Sequence, residues 1–193
     1  MTRSLEPCAD LALARETLER YAARDAEQER YRRTIVDWID AHPEDAHLRS
    51  CLQGHLTASV VLFDHARERT LLHHHKKLDK WLQFGGHCDG DANFRGTAWR
   101  ELVEESGIEP AWLSPEPIDV DVHPIPARPG EPAHDHLDVR FVAVAPEGAR
   151  ERRSEESLEL CWFGRRELGE LELDPSLARL LEVAWGTLPY GME

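Results

Sequence analysis

A run of acidic residues at helical spacing constrains this chain more than any other feature. The segment RELVEESGI, residues 100–108, places Glu101, Glu104 and Glu105 at relative positions i, i+3 and i+4. These positions share one face of a helix, where three like charges repel one another. A bound cation offsets this repulsion, and hard divalent ions such as Mg2+ favour carboxylate oxygens. The spacing therefore predicts a helix with a divalent metal site on one face.

The rest of this predicted helix is arranged so that its other side can pack. Asp91 or Asn93 can cap the first turn, and Gly107 suits the end of the helix. The apolar residues lie on a largely separate face. They are Ala98, Trp99, Leu102 and Val103.

The segment resembles the signature of the Nudix hydrolases. That signature is Gly, five residues, Glu, seven residues, Arg-Glu-apolar, one residue, Glu-Glu, one residue and Gly-apolar. The chain matches it from Gly86 with one departure, Ala92 in place of the first Glu. A solvated acidic helix face is the usual explanation of such a charge run. It does not account for the correctly spaced glycines or for Arg100.

The departure at Ala92 removes one carboxylate. Asp89 and Asp91 are close enough in sequence to stand in for it. If the carboxylate is merely missing, replacing Ala92 with Glu is expected to preserve or raise hydrolysis. A large loss would show that Ala92 makes room for something else.

The resemblance implies an α/β fold, the Nudix α/β/α sandwich around a mixed sheet. The expected organisation is an N-terminal helical extension, residues 1–50, followed by a Nudix hydrolase domain, residues 51–193. The implied activity is Mg2+- or Mn2+-dependent cleavage of a diphosphate linkage in a nucleoside diphosphate derivative or similar small molecule. An ion suits this chemistry, because it offsets the negative charge that repels a nucleophile and lowers the pKa of bound water.

Site residues carry over from the resemblance one by one. Glu101, Glu104 and Glu105 are the implied metal ligands, and the carbonyl of Gly86 is a further candidate. Arg100, in the same catalytic segment, is expected to hold the loop before the helix. The general base stays open among Glu104, Glu105, Glu155 and Glu156.

Four residues just before the signature are candidates for substrate binding. Lys76 and Lys77 form a basic turn that suits phosphate, although two lysines in a turn are usually just solvated. Trp81 and Phe84 are able to stack on a base, although core packing is the commoner role of such rings.

A second metal site is predicted from histidines outside the signature. His55, His87, His136 and Asp138 resemble the metal-binding positions of isopentenyl diphosphate isomerase, a relative with the same fold. His136 and Asp138 are two apart on a predicted strand and so point to the same side. Imidazoles with a carboxylate favour Zn2+, Mn2+ or Fe2+ over Mg2+. Strand-end capping and a polar loop are the plainer explanation of these histidines.

Composition narrows the partners. The 193 residues suffice for one domain of ordinary size, and the net charge of -14 argues against a general nucleic-acid or anionic-membrane binder. No apolar run of signal or membrane-span type is present, so a soluble cytoplasmic protein is expected. The cysteines lack CxxC spacing and are expected to be reduced thiols. They are Cys8, Cys51, Cys88 and Cys161.

The remaining pattern predicts the order of elements. Residues 11–41 lack Gly and Pro and predict two helices, or one long helix with an exposed centre. This segment fits packing on the domain, a place in a homodimer or a cover over the substrate pocket, and the sequence does not choose. Strands are predicted at 55–64, 70–75, 119–125, 137–145 and 158–163, and a closing helix from Pro175.

Two other functions compete with hydrolysis. A binding or regulatory protein would keep the fold but lose turnover through Ala92. An enzyme like isopentenyl diphosphate isomerase would need a Cys before the Gly-His pair, and Gly85 occupies that place, with Cys88 nearby but displaced.

Overall fold

The computed structural model describes residues 4–188, which contain five helices and eight strands. The helices are α1 (Leu11–Arg20), α2 (Ala26–Ala41), α3 (Phe94–Ser106), α4 (Arg165–Leu168) and α5 (Pro175–Thr187). The strands are β1 (Gly54–Phe63), β2 (Arg69–His75), β3 (Lys80–Leu82), β4 (Phe84–His87), β5 (Trp112–Leu113), β6 (Asp119–Ile125), β7 (His134–Val144) and β8 (Ser157–Gly164). Among these described residues no helix is both long and apolar enough to cross a membrane.

Strand β1 is the centre of the sheet. All ten of its residues are buried, as expected for a β-branched, apolar strand with neighbours on both sides and layers on both faces. It pairs with β2 and β4 in antiparallel fashion and with β7 in parallel fashion. The sheet is therefore mixed, as predicted.

The two faces of the sheet pack against different helices. Leu56 and Val60 of β1 belong to an apolar cluster that also contains Leu102 of α3. Val61 of β1 belongs to a second cluster, which contains Leu180 of α5. Because side chains alternate along a strand, these clusters lie on opposite faces. The arrangement confirms the α/β/α sandwich.

The N-terminal segment forms two helices rather than one. Asp25 caps α2 by accepting a hydrogen bond from the Gln28 backbone. The Gln28 side chain then donates to the Val120 carbonyl (3.2 Å) and accepts from the Val120 amide (3.1 Å), so it pairs with β6 as a strand would. Leu18 and Ile35 join the cluster that includes α3. Both helices thus share the core of the sheet.

The predicted strands are all present, with ends shifted by up to three residues. The short strands β3, β4 and β5 were not predicted, because two to four residues are too few to show a periodic pattern. Of these, β4 matters most, since it carries Gly86, the first residue of the signature.

A buried charged network joins β6, β7 and α5. Arg140 donates to Asp138 (2.8 Å), Asp121 (3.0 Å) and Asp119 (3.3 Å), and its side chain is 3% exposed. Arg179 of α5 also donates to Asp119 and Asp121. Each carboxylate therefore faces at least one guanidinium inside the protein.

Replacing Arg140 with Met is expected to lower the free energy of unfolding by about 3 to 5 kcal/mol, because it leaves buried carboxylates short of a partner. Urea unfolding followed by circular dichroism measures the loss. Arg30→Met, which removes an exposed ion pair with Glu27, is the matched control and should change little. Equal effects of the two variants would contradict the prediction.

Candidate active site

Helix α3 forms as the sequence predicts. Asn93 caps it by accepting a hydrogen bond from the Gly96 amide (3.2 Å), and Gly107 ends it with a φ of 70°. Ala98 and Leu102 are fully buried. The acidic face is thereby directed towards β4.

Gly86 allows the close contact between β4 and α3, and Gly85 allows the close contact between β4 and β1. A Cβ on Gly86 would lie 2.6 Å from the carboxylate carbon of Glu101, and a Cβ on Gly85 would lie 2.5 Å from the Cβ of Ser59. The Gly85 amide donates to Glu105 (3.0 Å). The strand therefore lies directly against two of the three signature carboxylates.

The three glutamates differ in exposure. Glu105 is 6% exposed, and burial raises its pKa to about 8. Burial also raises the pKa of Glu101, against the opposing effect of Arg100. Glu104 is exposed, with 61% of its side chain accessible. A buried, a half-buried and an exposed carboxylate on one helix face together offer the oxygen donors that a divalent ion requires.

Arg100 makes the contacts expected of it. Its guanidinium lies 2.6 Å from Glu101 and donates to the His87 carbonyl (3.2 Å). It therefore connects the helix to the end of β4 and is a positioning residue.

The structure gives Ala92 and its neighbours other roles than the sequence suggested. Ala92 is fully buried within the apolar cluster, and its amide donates to the Cys8 carbonyl (2.5 Å). Asp89 pairs with Arg49 at 2.6 and 2.8 Å, and Asp91 accepts from the Cys8 amide. Both aspartates are thus engaged in holding the loop, and a carboxylate at position 92 would have to enter the buried apolar cluster.

The N-terminal residues reinforce this loop. The Asn93 side-chain amide donates to the carbonyls of Ser4 (3.1 Å) and Glu6 (3.0 Å). The residue that caps α3 is therefore held in turn by the start of the chain.

The four substrate-binding candidates fall in different places. Phe84 is fully buried in the apolar cluster with α3, so the stacking role predicted for it is wrong. Trp81 stacks on His74 and packs against the cluster that contains α5. Lys76 and Lys77 are exposed in the turn between β2 and β3, and their phosphate contact stays a prediction.

One residue near Glu105, His73, was not assigned to the site from the sequence. His73 Nδ1 lies 3.8 Å from Glu105 and 2.9 Å from the Ser157 hydroxyl, and burial lowers its pKa to about 4. Burial raises the pKa of Glu105, and the charge of Glu156, a base candidate from the sequence, adds to this effect. Strand alternation along β2 would have separated His73 from His74 but not located Glu105.

The predicted histidine group assembles with one exchange. One ring nitrogen from each of four histidines lies within 4.8 Å of one from each of the others. They are His55, His87, His134 and His136. Asp138 is not brought to this group, because Thr57, Ser59 and Arg140 all donate to its carboxylate. His134 takes its place, and its spacing of two from His136 on β7 was the available signal.

Comparisons with known proteins agree with this geometry. The sequence matches the NUDIX domain family model over residues 54–183. The NUDIX domain of Shewanella oneidensis NrtR, complexed with ADP ribose, is 18% identical with a TM-score of 0.56, covering 75% of this chain and 95% of that one. A MutT NUDIX hydrolase from Burkholderia pseudomallei is 24% identical with a TM-score of 0.51, covering 67% and 97%.

A C. elegans Ap4A hydrolase binary complex is 17% identical with a TM-score of 0.53, covering 66% of this chain and 93% of that one. A comparison with curated proteins found no match. At these identities the structures show a shared fold, and the family match covers most of the chain. The chain therefore belongs to the Nudix family. It is an enzyme of the Nudix pyrophosphohydrolase type.

Because Ala92 is buried, the Ala92→Glu variant is expected to be destabilised, and not to preserve or raise hydrolysis. The added carboxylate would be overpacked and desolvated, so the variant should lose about 3 kcal/mol or more of unfolding free energy. Thermal and urea unfolding measure this loss. Ala22→Glu adds the same group at an exposed position and is the control. Unchanged stability with raised hydrolysis would support the missing-carboxylate interpretation instead.

Proposed function

We propose that this protein hydrolyses a diphosphate linkage in a nucleoside diphosphate derivative or similar small molecule, with Mg2+ or Mn2+ bound at the acidic face of α3. The observation that carries the proposal is the placement of Glu101 and Glu105 directly against β4, where Glu101 faces Gly86 and the buried Glu105 accepts a hydrogen bond from the Gly85 amide. Nudix hydrolases generally use divalent ions of this kind.

The donor set supports a hard divalent ion. Burial raises the pKa values of Glu101 and Glu105 because it disfavours their charged forms, and Arg100, which is paired with Glu101, partly opposes this effect at Glu101. A divalent ion would supply the compensating charge. Glu104 and the Gly86 carbonyl are the further ligand candidates.

The residues of the chain have separate roles in this proposal. When bound, the ion offsets the charge of the diphosphate and lowers the pKa of an attacking water. Arg100 holds the helix against β4 through Glu101 and the His87 carbonyl. Glu104, the exposed member, is available to accept a proton from water, and Glu156 is the alternative base.

The substrate class rests on the family and on the chemistry of the site. The compounds named with two of the similar structures, ADP ribose and Ap4A, both join a nucleoside to a phosphate chain. The exposed Lys76 and Lys77 would add positive charge for such a chain if the turn reaches it. Trp81 is half-buried against the apolar cluster that contains α5, so only its exposed part is available to a substrate.

A substrate panel tests the proposal directly. Purified protein with Mg2+ or Mn2+ should release phosphate or nucleoside monophosphate from at least one nucleoside diphosphate derivative. Glu104→Gln should lower kcat by at least about 100-fold if this carboxylate serves as base or ligand. Glu109→Gln, exposed just beyond α3, removes the same charge and should retain activity.

The competing functions give different results in the same assay. A binding or regulatory protein would bind panel compounds without turnover in wild type. The isomerase alternative requires a Cys before the Gly-His pair. Gly85 occupies that position, and a side chain there would collide with Ser59. Cys88 does not replace it, since that residue is buried and burial raises its pKa.

The raised pKa of Glu105 predicts a pH dependence of metal binding. Its neutral form stabilises the metal-free protein fully below about pH 4.5, and that contribution is lost as pH rises through about 8. The ion must displace a proton from Glu105 in order to bind. The gain in melting temperature from millimolar Mg2+ should therefore increase between pH 5 and pH 8, the range in which Glu105 loses its proton.

Thermal melts with and without Mg2+ or Mn2+ across this range measure the effect. In Glu105→Gln the growth of the gain with pH should disappear. A wild-type protein whose melting temperature is indifferent to both ions would contradict the assignment of the site.

A further inference from the structure

Four imidazoles converge on the sheet face opposite to α3. His87 is the partner of Thr57 in the β1–β4 pairing, and His136 is the partner of His55 in the β1–β7 pairing. Residues paired directly across a sheet point to the same side, so these rings share one face with His134. The ring centroids of His55 lie 4.6 Å from His87, 4.7 Å from His134 and 5.2 Å from His136.

One ring nitrogen of each of these histidines has no hydrogen-bond partner among the described residues. The Nε2 atoms of all four are buried and have no hydrogen-bond partner within residues 4–188. Glu131 lies 3.8 Å from His134 Nε2, beyond hydrogen-bond reach. Four unsatisfied buried nitrogens in one place carry a desolvation cost that a bound ion would remove.

Backbone carbonyls orient two of these rings for coordination. His134 Nδ1 lies 2.9 Å from the Pro132 carbonyl, and His55 Nδ1 lies 3.4 Å from the Cys51 carbonyl. A ring nitrogen that faces a carbonyl carries the proton, which leaves the lone pair on Nε2. Such a contact is the usual support of a metal-ligating histidine.

We propose that His55, His87, His134 and His136 form a closed, tetrahedral site for a transition-metal ion of the Zn2+ type, separate from the ion at α3. Imidazole donors suit Zn2+ and its neighbours in the transition series, whereas Mg2+ takes oxygen donors. Four protein ligands leave no open position, which marks a structural site. The ion stabilises the fold and does not take part in hydrolysis.

The observed spacing is compatible with such coordination. With Zn–N distances of about 2.0 to 2.1 Å, the donors of a tetrahedral site lie about 3.3 Å apart. The ligand nitrogens here lie within 4.8 Å of one another. Small rotations of the rings about their side-chain bonds are enough to close the difference.

The position of the site gives it a role in the enzyme. It joins β4 to β1 and β7 at the residue directly after Gly86. Since Gly86 faces α3 and His87 faces away, the two metal sites lie on opposite sides of β4. The histidine site would thus hold the strand against which the α3 carboxylates rest.

Metal content of the full chain tests the proposal. Protein stripped with a chelator is incubated with Zn2+ in excess Mg2+, desalted and analysed for metal by mass spectrometry. Wild type should retain one Zn2+ per chain and gain melting temperature. His134→Asn and His87→Asn should bind Zn2+ more weakly by over about 100-fold, while the exposed His65→Asn and the α3 variant Glu104→Gln should bind as wild type does.

Cobalt gives a second reading that does not need the variants to fold. Co2+ bound to wild type should show the visible absorption of tetrahedral nitrogen coordination, without sulfur-to-metal charge transfer. The nearby group of His42, Asp45 and Cys51 is the competing site, and Cys51→Ser separates the two. A sulfur-to-metal charge-transfer band in wild type would assign the ion to the Cys51 group and overturn the proposal, as would loss of the ion in folded Cys51→Ser but not in folded His134→Asn. So would a wild type that retains neither Zn2+ nor Co2+.

Discussion

The parallel pairing of β1 with β7 is the constraint on which both candidate sites depend. It runs through ten residue pairs and aligns His55 with His136, Thr57 with Asp138 and Ser59 with Arg140. A slip of one residue would turn each polar side chain into the apolar layer, so burial on both faces fixes the register. The pairing divides one face of the sheet by chemistry. Imidazoles gather at one end, and the carboxylates around Arg140 follow in the middle of the strands, where Ser176 of α5 accepts a hydrogen bond from Arg140.

Strand β4 connects the β1–β7 pairing to the active site. Its four residues lie between β1 and α3, with Gly86 turned towards the helix and His87 turned away. The absence of a side chain at Gly86 lets the Glu101 carboxylate approach the backbone of β4, and the absence of one at Gly85 lets β4 lie close to Ser59 of β1. The same residues that conform to the family signature are thus required by packing before any substrate binds.

The sequence predicted what depends on local spacing and missed what depends on distant contacts. The α3 helix, its Asn93 and Gly107 caps and its acidic face follow from intervals within one segment, and each is present. The burial of Ala92 and Phe84 depends on which layer covers them, and that layer is formed by residues far away in the chain. Asp138 shares a side with His136 as expected, but Arg140 and two hydroxyl groups were closer partners.

The start of the chain bears on how the protein can be divided. The family match begins at residue 54, yet Ser4 and Glu6 supply the carbonyls that hold the cap of α3, and α1 and α2 cover one face of the sheet. A fragment trimmed to the matched residues would expose that apolar face to water and remove both carbonyls that accept hydrogen bonds from the Asn93 side-chain amide. The minimal folding unit is therefore larger than the segment that carries the chemistry, and an expression design should retain the first helices.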